Sequence, residues 1–231
     1  MGTMTTFVSD GAAMQGYLAR PEGEGPFPTM LVIHEVFGLN EDIRSITGRF
    51  AKEGYIALAP NLYSRAGFVR YCITDLVKSF MNNKVGQQGV RDLQAAVAYL
   101  QALEGVRKES AGVVGFCMGG GFALLLACAS DQIQGSVAFY GRNPKPIDAV
   151  AGITCPIMFI YGEDDRFIRG GVPNLEDALK RHGKDYSIKS YPYASHSFMN
   201  SRRGSYRKDA AEDSWRSILD FFSSHLLTDA K

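Results

Sequence analysis

Net charge is almost absent from this 231-residue chain: 25 Lys and Arg stand against 24 Asp and Glu, a formal +1 at pH 7. So balanced a surface projects no strong field toward nucleic acid or anionic lipid, and neither is expected as a partner. No uninterrupted apolar stretch is long enough to span a bilayer, so no membrane partner is expected either. Residues 1–20 alternate polar and apolar side chains and lack the apolar core of a secretory leader, which makes a cytoplasmic location the expectation. Cysteines are few: Cys72, Cys117, Cys128 and Cys155, none in a C-x-x-C pair and none at zinc-ligand spacing from a histidine. Free thiols, no metal and no cofactor are therefore expected, with Cys128 and Cys155 in the core. No internal repeat, low-complexity tract or linker divides residues 1–231, so a single domain is expected, as monomer or small homo-oligomer.

What the chain does contain is alternation. Residues 28–34 form a continuous apolar run, as a strand buried on both faces would. Residues 41–53 repeat apolar side chains at helical spacing and stop at Gly54, and 55–59 read as a second buried strand ending at Pro60. Helices are then expected over 87–103, 118–129, 171–182 and 205–224, and strands over 111–116, 134–140, 156–161 and 186–191. This order predicts an α/β protein with a mostly parallel sheet and helices on both faces. Residues 3–8 and 14–19 suggest an antiparallel hairpin ahead of it. Residues 61–86 break the rhythm; they read as a partial lid or substrate-facing wall, or as a plain surface excursion.

One hexapeptide carries chemistry: Gly115-Phe116-Cys117-Met118-Gly119-Gly120, between a predicted strand and a predicted helix. A sharp strand-to-helix turn through small residues is the nucleophile elbow of α/β-hydrolases, usually written G-x-S-x-G. With cysteine in the middle, the acyl intermediate would be a thioester. The helix N-terminus favours a thiolate there, and the Met118 N–H can donate to a developing oxyanion. The plainer reading is a small core cysteine at a tight turn.

A cysteine nucleophile needs a base, and the base an orienting acid, at the carboxyl ends of later strands. Strand 156–161 runs into Gly162-Glu163-Asp164-Asp165, where Asp165 is the expected acid and Asp164 and Glu163 compete. His196 lies in the loop after strand 186–191 and is the expected base; His182 reads as a helix cap, while His34 could face the site. At the end of the first parallel strand, His34-Glu35-Val36-Phe37-Gly38 would bring a second oxyanion donor and a carboxylate close to the thiol.

Together with Pro60-Asn61-Leu62-Tyr63, these blocks resemble, in order and over nearly the whole chain, the dienelactone hydrolase (carboxymethylenebutenolidase) family. The resemblance implies an α/β-hydrolase fold and hydrolysis of a small-molecule ester or lactone by a Cys117–His196–Asp165 triad. It further implies an oxyanion hole from the Val36 and Met118 N–H groups and an interaction of Glu35 with the Cys117 thiol. Well-known members hold a substrate carboxylate with arginines, one of them four residues after the histidine; here that position is Asn200, followed by Arg202 and Arg203. Arg70, Arg202 and Arg203 are the candidates for that contact. A non-catalytic binding protein or a thiol acyltransferase on the same fold are the alternatives.

Overall fold

The computed structural model describes residues 2–65 and 84–227. Arg70, Cys72 and most of the expected lid or wall lie outside the described residues. The chain opens with a hairpin, β1 (Thr3–Ser9) and β2 (Ala12–Ala19), joined through Asp10 and Gly11, which take the positive φ values of 46° and 76° that a tight two-residue turn requires. Then come β3 (Phe27–Ile33), α1 (Glu41–Lys52), β4 (Ile56–Pro60), α2 (Gln88–Gln101) and β5 (Val106–Phe116). The elbow helix α3 (Met118–Ala129), β6 (Gly135–Phe139), β7 (Ile157–Gly162), α4 (Val172–Arg181), β8 (Tyr186–Tyr191) and α5 (Lys208–Leu226) complete the order.

The eight strands form one sheet in the order β1-β2-β4-β3-β5-β6-β7-β8, antiparallel around β2 and parallel from β4 onward. β3 is buried along nearly its whole length, which explains its unbroken apolar run. Helices α1 and α5 share one face, where Phe50 packs on Trp215 and Phe222 at 4.7 and 6.2 Å. α2, α3 and α4 cover the other face. α3 is apolar all round and buried from Met118 to Ala127, so it is the central helix of its layer. Asn40 caps α1, its Oδ1 accepting from the Ile43 N–H at 3.1 Å, a cap of a kind worth about 1 kcal/mol. Among the described residues, no helix is long and apolar enough to cross a membrane.

Two element boundaries differ from the sequence expectation. β5 starts at Val106, five residues earlier than expected, because Val106 still pairs with Phe27 of β3, while the charged Arg107-Lys108-Glu109 that follow lie in an irregularity of that register, with Glu109 at φ 55°. α5 starts at Lys208 because Arg207 stays extended (φ −125°, ψ 99°) and uses its N–H to bind Phe198 O at 3.0 Å.

The strand order places β3 between β4 and β5, so successive crossovers leave it in opposite directions. The crevice at the carboxyl ends of β3 and β5 is therefore the switch point where open α/β sheets bind ligands. Cys117 and Glu35 lie at that crevice, with Asp165 and His196 beyond β7 and β8.

Candidate active site

Cys117 sits between β5 and α3 with φ 55° and ψ −112°. For a residue with a side chain this is a strained conformation, costing about 1–3 kcal/mol that the surrounding packing must supply. The packing is tight enough to do so. A Cβ on Gly115 would fall 2.0 Å from Gly119 O, and one on Gly119 would fall 2.3 Å from Ile33 O. Glycine at both positions lets the strand, the elbow and the end of β3 close on one another. The Cys117 N–H is held by Phe139 O at 3.0 Å, so the turn cannot relax.

His196 reaches Cys117 from the loop after β8, its Nε2 3.1 Å from Sγ. Its Nδ1 lies 2.6 Å from Asp165 Oδ2. A carboxylate only accepts, so Nδ1 carries the proton and Nε2 faces the sulfur. Asp165 is 1% exposed, and its other oxygen accepts from the Phe167 N–H at 3.0 Å. The competing carboxylates do not reach the histidine: Glu163 is exposed and accepts from Ser190 Oγ at 2.8 Å, and Asp164 is exposed. Acid and base loops are laced together by Asp164 N–H to Ala194 O and Glu163 N–H to Tyr191 O, both 3.0 Å.

Burial alone would lower the pKa of His196, but its hydrogen bonds to Asp165 and Cys117, with their charges, outweigh this and raise it from 6.5 to about 10. The ring is flanked by Tyr140 at 5.0 Å and by Phe167 at 5.7 Å. Neither aromatic was singled out in the sequence. Tyr140 had a signal, since it ends the apolar run of β6 on the edge where site groups gather; Phe167 had none.

Glu35 is buried at the end of β3. Its Oε1 accepts from Ser197 Oγ and its Oε2 from Asn200 Nδ2, both at 2.7 Å. Among the described residues no hydrogen bond joins it to Cys117, unlike the interaction the resemblance implies. The physical reason is that two neutral donors, one and four residues after His196, already claim both oxygens. The Val36 and Met118 N–H groups donate to no backbone carbonyl among the described residues. His34 is buried beside them and is pushed down to about 4 by that burial, so it is neutral at ordinary pH.

The substrate-arginine expectations fare unevenly. Arg202 is exposed and paired with Glu41. Arg203 lies over the Phe37 ring at 3.8 Å, at the rim of the β3 loop. His182 caps α4 and bonds Asp148 at 3.0 Å, away from Cys117. Burial pushes the thiol of Cys155, in the core, up to about 11 and that of Cys128, half-buried against the core, up to about 12. Among the described residues no cluster of three or more His, Cys, Asp or Glu is placed to hold a metal ion.

A cleft of about 430 Å³ opens between residues 141–147 and 167–174, and Phe167, whose ring lies 5.7 Å from that of His196, is part of its wall. Among the described residues Arg142 and Lys145 line it and no acidic side chain does. Two larger surface cavities, of about 720 and 790 Å³, lie near Phe27 and Gly54 and near Arg107 and Gln134, and no elbow residue lines either.

Sheet order, elbow geometry and the carboxylate–imidazole pair at the same sheet edge define the chain as an α/β-hydrolase. Within that class its place is set by the extent of the match: the dienelactone hydrolase family model covers residues 14–226, and the chain belongs to that family. It is a hydrolase of esters or lactones. Over 249 residues, 92% of this chain and 95% of the relative, it is 35% identical to a provisionally named carboxymethylenebutenolidase of Saccharolobus solfataricus. A relative of the same provisional name in Escherichia coli is 34% identical over 96% of this chain and 86% of its own length. The crystal structure of a provisionally named dienelactone hydrolase from Klebsiella pneumoniae superposes with a TM-score of 0.88 at 31% identity, covering 97% of this chain and 99% of that one.

Proposed function

We propose that the chain is a cysteine-dependent hydrolase of activated esters or lactones that works through a thioester on Cys117. The observation that carries this reading is the continuous relay from Asp165 through His196 to the Cys117 sulfur, at 2.6 and 3.1 Å. A His196 that keeps its proton to about pH 10 is suited to pair with a thiolate. The thiolate attacks the carbonyl carbon, a C–S bond forms, and the carbonyl electrons move to oxygen between the Val36 and Met118 N–H groups. Collapse breaks the C–O bond, and the leaving oxygen takes the Nε2 proton of His196. Water then attacks the thioester, its proton passing to His196, and the thiolate departs from the acid product. Glu35 supports the base loop through Ser197 and Asn200, acting on Cys117 by its field rather than by a bond.

A quenched reaction with 4-nitrophenyl acetate, digested and analysed by mass spectrometry, tests the covalent step. Acetyl should appear on the Cys117 peptide and be lost to hydroxylamine. Acetyl on a serine or lysine alone would sink the thioester. Iodoacetamide gives an independent check at pH 7. Cys117 should be alkylated well before Cys128 or Cys155, because Cys155 at about 11 and Cys128 at about 12 are ionised to about one part in ten thousand or less there.

The cleft lined by Arg142 and Lys145 would take the part of the substrate next to His196, favouring a carboxylate there. Lys145→Glu should lower kcat/KM for 4-acetoxybenzoate relative to its methyl ester by about three- to tenfold, more at low salt. An unchanged ratio would place the substrate elsewhere.

A further inference from the structure

The block Pro60-Asn61-Leu62-Tyr63 and the buried His34 have no part in the relay, yet together they converge on the two peptides that flank Val36. The Val36 N–H belongs to the same peptide unit as Glu35 C=O. That carbonyl accepts from His34 Nδ1 at 2.6 Å and from the Gly38 N–H at 3.1 Å. His34 Nε2 in turn accepts from the Leu62 N–H at 3.1 Å. With Nε2 occupied as an acceptor, Nδ1 must hold the proton, so the tautomer is fixed by the chain beyond β4. The next residue closes the brace: Tyr63 OH donates to Val36 O at 2.8 Å, and its ring lies 5.2 Å from the His34 ring. Asn61 holds this turn: its Oδ1 accepts from the Tyr63 N–H at 3.1 Å, and its own N–H binds Gln15 O at 2.8 Å.

We infer that His34 and Tyr63 are positioning residues that lock the Val36 peptide as an oxyanion donor, with Leu62 setting the His34 tautomer. The inference rests on the reading of Val36 as that donor. Two hydrogen bonds onto one carbonyl fix its plane and polarise the amide, which strengthens the N–H on its far side. A donor aimed before the reaction costs nothing to reorganise when charge develops. Burial keeps His34 neutral, so it supplies one directed donor and no charge that would compete with the His196 relay.

The test compares wild type with His34→Ala, His34→Asn and Tyr63→Phe. Three readouts are taken: kcat for 4-nitrophenyl acetate, inhibition by a trifluoromethyl ketone whose thiolate adduct carries an oxyanion, and iodoacetamide alkylation of Cys117, which develops none. His34→Ala should lower kcat about 10- to 100-fold and weaken the ketone in proportion, since a whole oxyanion donor is worth about 100- to 1,000-fold. His34→Asn, which keeps a donor near the Nδ1 position, should recover part of the loss. Tyr63→Phe should cost about 3- to 10-fold and carries the test if the buried His34→Ala does not fold. Alkylation should stay at the wild-type rate. Alkylation falling in step with kcat would mean general damage to the site, and unchanged kcat and ketone affinity in Tyr63→Phe and His34→Asn would mean no brace; either overturns the inference. A wild type that hydrolyses no ester would instead remove the hydrolase reading beneath it.

Discussion

Cys117→Ala should lower kcat for 4-nitrophenyl acetate by about 10⁴-fold or more while leaving the thermal midpoint nearly unchanged. The two halves of that expectation have different causes. The rate falls because no other nucleophile within the relay can take over: His196 Nε2 points at the sulfur, and its partner Asp165 is 1% exposed and fully bonded. The fold survives because alanine meets the elbow on the same terms as cysteine. Both have a Cβ at φ 55°, and the glycines that allow the close approach, Gly115 and Gly119, are untouched. Any residual rate would come from the oxyanion donors alone. Activity within about tenfold of wild type would remove Cys117 from the mechanism and leave it as a core cysteine at a tight turn. Cys117→Ser sharpens the comparison. The sulfur contributes to holding the His196 proton, so a hydroxyl there lowers that proton's affinity and is itself harder to ionise. The serine variant should therefore fall well below wild type despite its conserved shape.

The parts of this site that could be read in advance share one property: each lies where an apolar strand run ends. Cys117 follows Val113-Val114-Gly115-Phe116, Asp165 follows β7 and His196 follows β8, and parallel strands bring those ends to one edge whatever the details of packing. Glu35 stands at such a strand end too, but its bonds are not legible there. Its partners Ser197 and Asn200 are 162 and 165 residues away, and nothing local says which donors a buried carboxylate will find. The same limit applies to Phe167, whose ring turns back onto His196. His34 shows the boundary most clearly. Its position at a strand end suggested it could face the site, whereas its ring turns toward Leu62 and Tyr63, a direction set by the loop beyond β4. The early start of β5 is hidden for a different reason: the stretch between Val106, paired with Phe27, and Ala111, paired with Thr29, breaks the register and carries no apolar pattern. Arg202, a substrate candidate from the resemblance, is paired with Glu41 on the surface.

Asp165→Asn should lower kcat by about 10⁴-fold, close to the loss of the nucleophile itself, although only one atom changes. The hydrogen bonds around Asp165 explain why so conservative a change is so costly. Oδ1 is fixed as an acceptor by the Phe167 N–H at 3.0 Å, so the amide oxygen of asparagine takes that place. Its NH₂ group then faces His196 Nδ1, where the carboxylate had accepted at 2.6 Å. A donor there forces Nδ1 to accept and moves the imidazole proton to Nε2, the nitrogen that must remove a proton from the thiol and later from water. The charge effect acts in the same direction. Burial already pushes the His196 pKa down, and the Asp165 hydrogen bond is the leading interaction that opposes it, so its loss moves the value down from about 10. Near pH 7 the variant should then hold less of the imidazolium that pairs with a thiolate. Iodoacetamide alkylation of Cys117 at pH 7 should therefore slow along with turnover, which separates this variant from His34→Ala, where alkylation is spared. Alkylation at the wild-type rate in Asp165→Asn, with turnover lost, would show that Asp165 orients the base without setting its charge; retention of both would transfer the acid role to another carboxylate.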